Sequence, residues 1–182
     1  MIQNTMTLQE RRALEAIVDR GDFSSCEAVA DFFRAYTLLI WDHFLVGRIY
    51  DCYTDDIVMH HAGGASVQGL DAVFKNTLAV VASAPRDSET IFVDIFAEGN
   101  EAEGYRFMQL TAAYSPQALG RNGRYVKPED CVYADDGVGS VGMCECSVKK
   151  VDGRWVITEE WLLRTVGKKP GAAPSDAATN RT

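Results

Sequence analysis

The sequence has no apolar stretch that approaches the roughly 18 uninterrupted residues of a membrane-spanning helix, and its mean hydropathy is -0.12. Positive charge is also scarce, because 18 Lys and Arg stand against 26 Asp and Glu and leave a formal net charge of -8. These absences argue against a membrane partner and against a nucleic-acid partner, which would need a basic surface. With 182 residues, 47% of them hydrophobic, the composition is typical of one globular domain with short terminal segments.

Metal-binding, redox and nucleotide-binding signatures are absent as well. The three histidines show no His-x-His or His-x-x-x-His spacing, so we expect no metal ion and no cofactor. The five cysteines include no Cys-x-x-Cys, and Cys144 and Cys146 would lie on one face of a strand. An odd cysteine count and an N-terminus without the features of a secretory signal predict reduced, structural thiols in a cytoplasmic protein.

Apolar spacing divides the chain into a helical first half and a strand-rich second half. Helices are predicted over 8–18, 26–40, 44–53 and 69–82, and strands over 57–61, 88–98, 102–114, 125–134, 138–151 and 154–166. Short turns between long strands predict an antiparallel meander, and helices that precede it predict an α+β fold in which they cover one face of the sheet. We divide the chain into an N-terminal helical extension (1–24), one domain (25–166) and a flexible C-terminal tail (167–182).

Three short segments carry a resemblance to a known superfamily. They are the aromatic-x-Asp-Asp segment that enters the first strand (49–60), a small-residue-rich helix start (67–73), and a closing hairpin with Gly153-Arg154 and a Glu-Trp pair (145–162). Together they resemble the SnoaL-like polyketide cyclase branch of the nuclear transport factor two-like (ketosteroid isomerase-like) superfamily. The resemblance implies a cone-shaped cystatin-like roll, a homodimer formed through the sheet, and cofactor-independent lyase, isomerase or cyclase chemistry on a small hydrophobic carbonyl compound.

The resemblance also implies an acid–base pair formed by His61 and Glu145. His61 falls where the isomerase-like pattern has its proton-abstracting carboxylate, and strand alternation puts it on one face with Ile57 and Met59. A neutral imidazole there is a competent general base. Glu145 falls where the family has an acidic residue, which would donate a proton or a hydrogen bond to the developing enolate. The two roles can be exchanged.

The remaining candidates would shape the pocket. The expected substrate-binding residues are Tyr36, Met59, Tyr105, Arg106 and Trp161. Alternation also predicts that Trp155 and Trp161 share one face of the last strand. Structural roles stay open at this point, since His61 can be a core histidine and Glu145 can pair with Arg106 or Lys149. A non-catalytic module that binds small molecules and an assembly domain of the same fold are the alternative functions.

Overall fold

The computed structural model describes residues 8–61, 64–83, 89–114 and 140–166. These residues form helices on a curved six-stranded sheet, which is the α+β fold that the sequence predicts. The helices are α1 (Leu8–Arg20), α2 (Cys26–Trp41), α3 (Ile49–Cys52), which follows a 3-10 turn, and α4 (Leu70–Ser83). The strands are β1 (Tyr53–His61), β2 (Ser66–Gln68), β3 (Glu89–Asn100), β4 (Gly104–Tyr114), β5 (Ser140–Val151) and β6 (Arg154–Val166).

Several sequence-based predictions fall outside the described residues, namely the strand over 125–134, Cys131 and the tail over 167–182. Within the described part, no helix combines the length and the apolar character needed to cross a membrane. The short strand β2 is an element that the sequence pattern did not predict.

Helix α2 forms the centre of the helical layer. Ser25 caps its N-terminus by accepting a hydrogen bond from the Ala28 backbone N–H over 3.1 Å, which satisfies one of the free donors of the first turn. Val29, Phe33 and Leu39 recur at helical spacing and are at most 2% exposed. This apolar stripe packs on the sheet, where the Phe33 and Phe107 rings stack with centroids 4.0 Å apart. Helix α1 packs against α2 and adds Val18 to the same core.

The strands are ordered β2-β1-β6-β5-β4-β3. Antiparallel pairing links β3 through β6 as a meander, in which β4 pairs directly with β5 and not with the strand predicted over 125–134, and β1 also pairs antiparallel with β2. The pairing of β1 with β6 is parallel, which differs from the purely antiparallel sheet of the sequence analysis. The physical reason is the connection: β1 and β6 are not joined by a hairpin, so the final strand of the meander can run alongside β1 in the same direction.

A β-bulge in β6 overturns the prediction that Trp155 and Trp161 share a face. Ser147 pairs with Glu159, but the next residue of β5, Val148, pairs with Ile157, so Thr158 is an extra residue that shifts the alternation. Trp155 therefore packs on the core, with its ring stacked 5.0 Å from that of Phe23. Trp161 lies on the opposite face and is 55% exposed.

Candidate active site

The sheet separates the sequence-predicted site residues onto two faces. We call the face that packs against the helices the inner face and the other the outer face. Tyr36 reaches the inner side from α2, while Met59, His61 and Tyr105 belong to the inner face of the strands. Glu145, Arg106 and Trp161 belong to the outer face. The structure therefore does not bring His61 and Glu145 together.

A buried carboxyl group that the sequence analysis did not select, Glu160, lies at the centre of the inner face. It is 6% exposed, and Cα pairing sets it beside Met59 on one neighbouring strand and Cys146 on the other. The Tyr53 hydroxyl donates a hydrogen bond to Oε2 over 2.9 Å, and the Cys144 thiol donates to Oε1 over 3.2 Å. A buried carboxyl needs such partners to offset the loss of water, so both of its oxygens are held in place.

Two thiols complete this inner cluster. Cys144 and Cys146 share one face of β5, as predicted, and in the structure that face is the inner one; their Sγ atoms are 3.3 Å apart. One ligand atom from each of Cys144, Cys146 and Glu160 can be chosen so that the three lie within 4.8 Å of one another. Its hydrogen bond with Cys146 and burial raise the pKa of Cys144, and burial raises the pKa of Cys146 to about 11. Both sulfurs are therefore protonated thiols at neutral pH.

His61 ends β1 one row above Glu160. Because Met59 pairs with Glu160, and strands rise about 3.3 Å per residue at a spacing of about 4.8 Å, the Cα atoms of His61 and Glu160 are roughly 8 Å apart. The His61 backbone N–H donates to the Ala65 carbonyl over 2.8 Å, which fixes the end of the strand. Its ring Nε2 is the buried side-chain polar atom that has no hydrogen-bond partner among the described residues, so it can accept or donate a proton.

Two tyrosines and one amide are further buried polar side chains around Glu160. Burial raises the pKa of Tyr36 and of Tyr53, and the charge of Glu160 adds to both shifts, so both phenols stay protonated and act as hydrogen-bond donors. Tyr36 donates to the Arg48 carbonyl over 3.3 Å. Gln109, a buried residue of β4 that pairs with Cys144 of β5, accepts a hydrogen bond from Thr37 over 3.1 Å. Burial and these bonds limit the movement of the side chains that surround Glu160.

The remaining inner-face candidate, Tyr105, is buried, and its hydroxyl donates to the Phe23 carbonyl over 2.7 Å. This bond ties β4 to the segment that precedes α2. The Tyr105 hydroxyl is thus already engaged in a structural hydrogen bond. Its predicted part in substrate binding stays a prediction.

On the outer face, Glu145 pairs with Arg106, which is the structural alternative that the sequence left open. Arg106 is 61% exposed and also lies 3.9 Å from Glu98. Trp161, directly opposite Glu145 on β6, stacks on His60 with ring centroids 4.0 Å apart. The other candidates on this face thus line a solvent-facing surface.

The sequence analysis did not select Glu160 or Tyr53 as site residues, and the fold explains why. They are 107 positions apart, and their contact depends on the parallel pairing of β1 with β6, which no local pattern predicts. Glu160 is one member of the Glu159-Glu160-Trp161 segment, and the bulge at Thr158 decides which glutamate turns inward. The available signal was the hairpin segment itself, which is one of the three segments that carry the resemblance.

Comparison with known proteins supports the fold without assigning a family. No protein-family model and no curated protein matches the chain. Among solved structures, an uncharacterised protein with a cystatin-like fold from Caulobacter vibrioides superposes with a TM-score of 0.54 at 14% identity, covering 76% of this chain and 88% of that one. A nuclear transport factor two-like protein from Pseudomonas putida KT2440 gives 0.51 at 13% identity, with 97% and 95% covered. LinA gives 0.55 at 10% identity, with 90% and 95% covered.

Identities this low show the shared architecture and nothing finer. The element order, the sheet order and these three structures agree on one conclusion: the chain has the cystatin-like fold of nuclear transport factor two-like proteins.

Proposed function

We propose that this protein is a cofactor-independent lyase, isomerase or cyclase that enolises a small hydrophobic carbonyl compound on the inner face of its sheet. The observation that carries the proposal is the buried carboxyl of Glu160, held by Tyr53 and Cys144, on the same face as His61, whose Nε2 has no hydrogen-bond partner in the described part of the chain. Enolisation needs a base at the carbon and a donor at the carbonyl oxygen, and these two groups can supply both.

In this proposal His61 is the general base, in the tautomer that carries its proton on Nδ1 and leaves Nε2 free. Glu160 in its neutral form donates a proton or a hydrogen bond to the developing enolate oxygen, which is the role that the sequence analysis gave to Glu145. Tyr53 fixes the carboxyl through Oε2. At roughly 8 Å between their Cα atoms, the two residues are diagonal neighbours on one face, a distance at which both side chains can reach one carbonyl group.

The surroundings favour an apolar substrate. Met59, Phe107 and Ile157 are at most 3% exposed and flank Glu160 along the inner face. Apolar walls with few polar groups are typical of small-molecule sites. Such walls also keep water away from an enolate, which strengthens the hydrogen bonds that stabilise it.

We also propose that the protein forms a homodimer through the outer face. Large apolar side chains there are 38–55% exposed, namely Phe96, Met143, Trp161 and Leu163. Met143, Trp161 and Leu163 belong to the adjacent strands β5 and β6, and Phe96 on β3 lies in the row that runs through Met108 and Glu145 to Trp161. A contiguous patch of this kind is typical of an interface, and a two-fold axis would pair it with its own copy.

Deuterium incorporation tests the proposed chemistry on simple carbonyl compounds and does not require the natural substrate. Small ketones and diketones are incubated with the protein in D2O, and exchange of the protons next to the carbonyl is followed by NMR. We expect exchange with wild type and a loss of at least about 100-fold in His61→Ala and in Glu160→Gln, in line with general acid–base contributions. Glu145→Gln is the matched control on the outer face and should exchange like wild type.

Binding of enolate mimics is measured in parallel. Phenols and planar aromatic acids at about 100 times their Kd should stabilise the folded protein by about 2.7 kcal/mol, a Tm increase of roughly 5–11 °C for a chain of this size. Binding without exchange would point to the non-catalytic binding module instead. Exchange that depends on Glu145 and not on Glu160 would restore the pair expected from the resemblance.

A further inference from the structure

A cluster of soft and charged ligands on the inner face suits a metal ion. The two Sγ atoms of Cys144 and Cys146 are 3.3 Å apart, and Cys144 Sγ is 3.2 Å from Glu160 Oε1. Each of the three residues is buried. Hard cations such as Mg²⁺ and Ca²⁺ prefer oxygen ligands, whereas two sulfurs and one carboxylate are a ligand set for a borderline or soft cation.

We propose that Cys144, Cys146 and Glu160 form a three-ligand site for a zinc-like divalent cation, with the fourth tetrahedral position open. Tetrahedral bond lengths of about 2.3 Å to sulfur and about 2.0 Å to oxygen require sulfur–sulfur and sulfur–oxygen separations of roughly 3.8 and 3.5 Å. The sulfur–sulfur separation and that between Cys144 Sγ and Glu160 Oε1 therefore need to widen by about 0.5 Å or less, whereas the third, between Cys146 Sγ and the Glu160 oxygen, lies within 4.8 Å and needs to close to roughly 3.5 Å. Such a shift is within reach of side-chain rotation on a fixed backbone.

The carboxylate has the outer support that metal ligands require. Tyr53 holds Oε2 from the other side, which leaves Oε1 directed at the sulfur of Cys144. Hydrogen bonds of this kind orient a ligating carboxylate, and their loss commonly costs 10–100-fold in affinity. The two sulfurs come from alternate residues of one strand, and the oxygen comes from the neighbouring strand at the position paired with Cys146. The sheet itself thus sets the spacing of the three ligands.

Binding exchanges protons for the metal. Two S–H bonds and the carboxyl O–H of Glu160 break, two sulfur–metal bonds and one oxygen–metal bond form, and three protons leave to solvent, so that the cation with two thiolates and one carboxylate carries a net charge of -1. Because binding releases protons, it becomes more favourable as pH rises. Without a metal the thiols stay neutral, which is the less costly state for buried sulfur.

Cobalt titration is the direct test. Metal-free protein, kept under a phosphine reductant, is titrated with Co²⁺ and followed by absorption. We expect one equivalent to bind, with thiolate-to-cobalt charge-transfer bands and the visible bands of tetrahedral cobalt, and we expect Zn²⁺ to displace it. A folded protein that shows neither set of bands overturns the proposal.

Variants assign the ligands. Cys144→Ser and Cys146→Ser should each lower the affinity by about 100-fold or more, whereas Cys26→Ser, at a half-buried cysteine outside the cluster, should bind as wild type. Tyr53→Phe keeps all three ligands, so it remains informative if a cysteine variant fails to fold, and it should weaken binding by about 10–100-fold. Wild-type affinity in both serine variants, or loss of the bands in Cys26→Ser, refutes the site. Unchanged affinity in Tyr53→Phe refutes Glu160 as the third ligand.

The metal site goes beyond the proposed function and does not depend on it, because the cobalt bands require no substrate. Only one consequence rests on that function: a metal on Glu160 removes the proposed proton donor, so Zn²⁺ should abolish deuterium exchange in wild type. Absence of exchange in the metal-free protein would refute the proposed function while leaving the cobalt result intact. Full exchange at saturating Zn²⁺, with the bands present, would refute the role of Glu160 as proton donor and leave the metal site standing.

Discussion

Replacing Tyr53 by phenylalanine removes one oxygen atom and tests whether Glu160 is held as described. The lost hydrogen bond, 2.9 Å long, ends on a buried carboxyl group. A buried acceptor that loses its partner costs about 1–3 kcal/mol, because it cannot regain water. The ring itself remains, so apolar packing is preserved. We expect Tyr53→Phe to lower the free energy of unfolding by about 1–3 kcal/mol and Tm by roughly 2–12 °C.

The assay is urea unfolding followed by circular dichroism at fixed protein concentration and pH 7. Tyr50→Phe is the matched control, because the Tyr50 hydroxyl donates to Asp71 over 2.8 Å at an exposed position, where water can replace it at a cost of roughly 0.5 kcal/mol or less. In a Glu160→Ala background the acceptor is absent, and Tyr53→Phe should cost about 1 kcal/mol less than in wild type. A Tyr53→Phe variant as stable as Tyr50→Phe would refute the buried contact.

Three further predictions concern other parts of the molecule. Burial raises the pKa of Cys52 from 9.0 to about 12, so the folded state binds this proton more tightly than the unfolded state does. The resulting contribution to the free energy of unfolding is fully present below pH 9 and is lost as pH rises from there towards 12. Urea unfolding at pH 8 and pH 10 should show wild type losing about 1.4 kcal/mol more than Cys52→Ala, and equal losses would contradict this. Gly104 has φ +94°, and an added Cβ would lie 2.6 Å from the Val148 carbonyl oxygen, so Gly104→Ala should cost at least about 2 kcal/mol. Gly153→Ala, with φ +79° and open space, should cost about 1 kcal/mol by the same assay. Trp161→Lys should convert the proposed dimer to monomers in sedimentation experiments without loss of helical signal, and a wild-type sedimentation profile would count against the outer-face interface.

Much of the fold could be predicted because local signals and burial agree. Ser25 followed by an apolar stripe marks α2 before any tertiary contact is known. In β1, alternation correctly separates Ile57, Met59 and His61 from His60, since one face of that strand is buried. The Asp152-Gly153 turn, with both residues at positive φ, closes the last hairpin where its residue types predict.

The candidate site could be predicted only in part, because its key contacts depend on pairing. Both faces of β5 carry apolar residues, so the sequence left open which one faces the helices. The structure answers this with Cys144 and Cys146 inside and Glu145 outside. The bulge at Thr158 then shifts the alternation of β6 and turns Glu160 inward. A single extra residue in one strand decides which of two adjacent glutamates is buried, and the position of that bulge cannot be predicted from residue spacing.

Glu145 and Glu160 show why the two faces of this sheet should serve different functions. Glu145 pairs in register with Trp161, and Cys146 pairs with Glu160, so the two carboxyl groups are neighbours along the sheet and differ chiefly in the side to which they point. On the inner side a fully desolvated carboxyl with fixed partners is suited to proton transfer or metal binding. On the outer side a half-buried carboxylate paired with Arg106, among apolar side chains, is suited to fix the register of an interface. Substitution of Glu160 should therefore change chemistry within each subunit, whereas substitution of Glu145 should change assembly first.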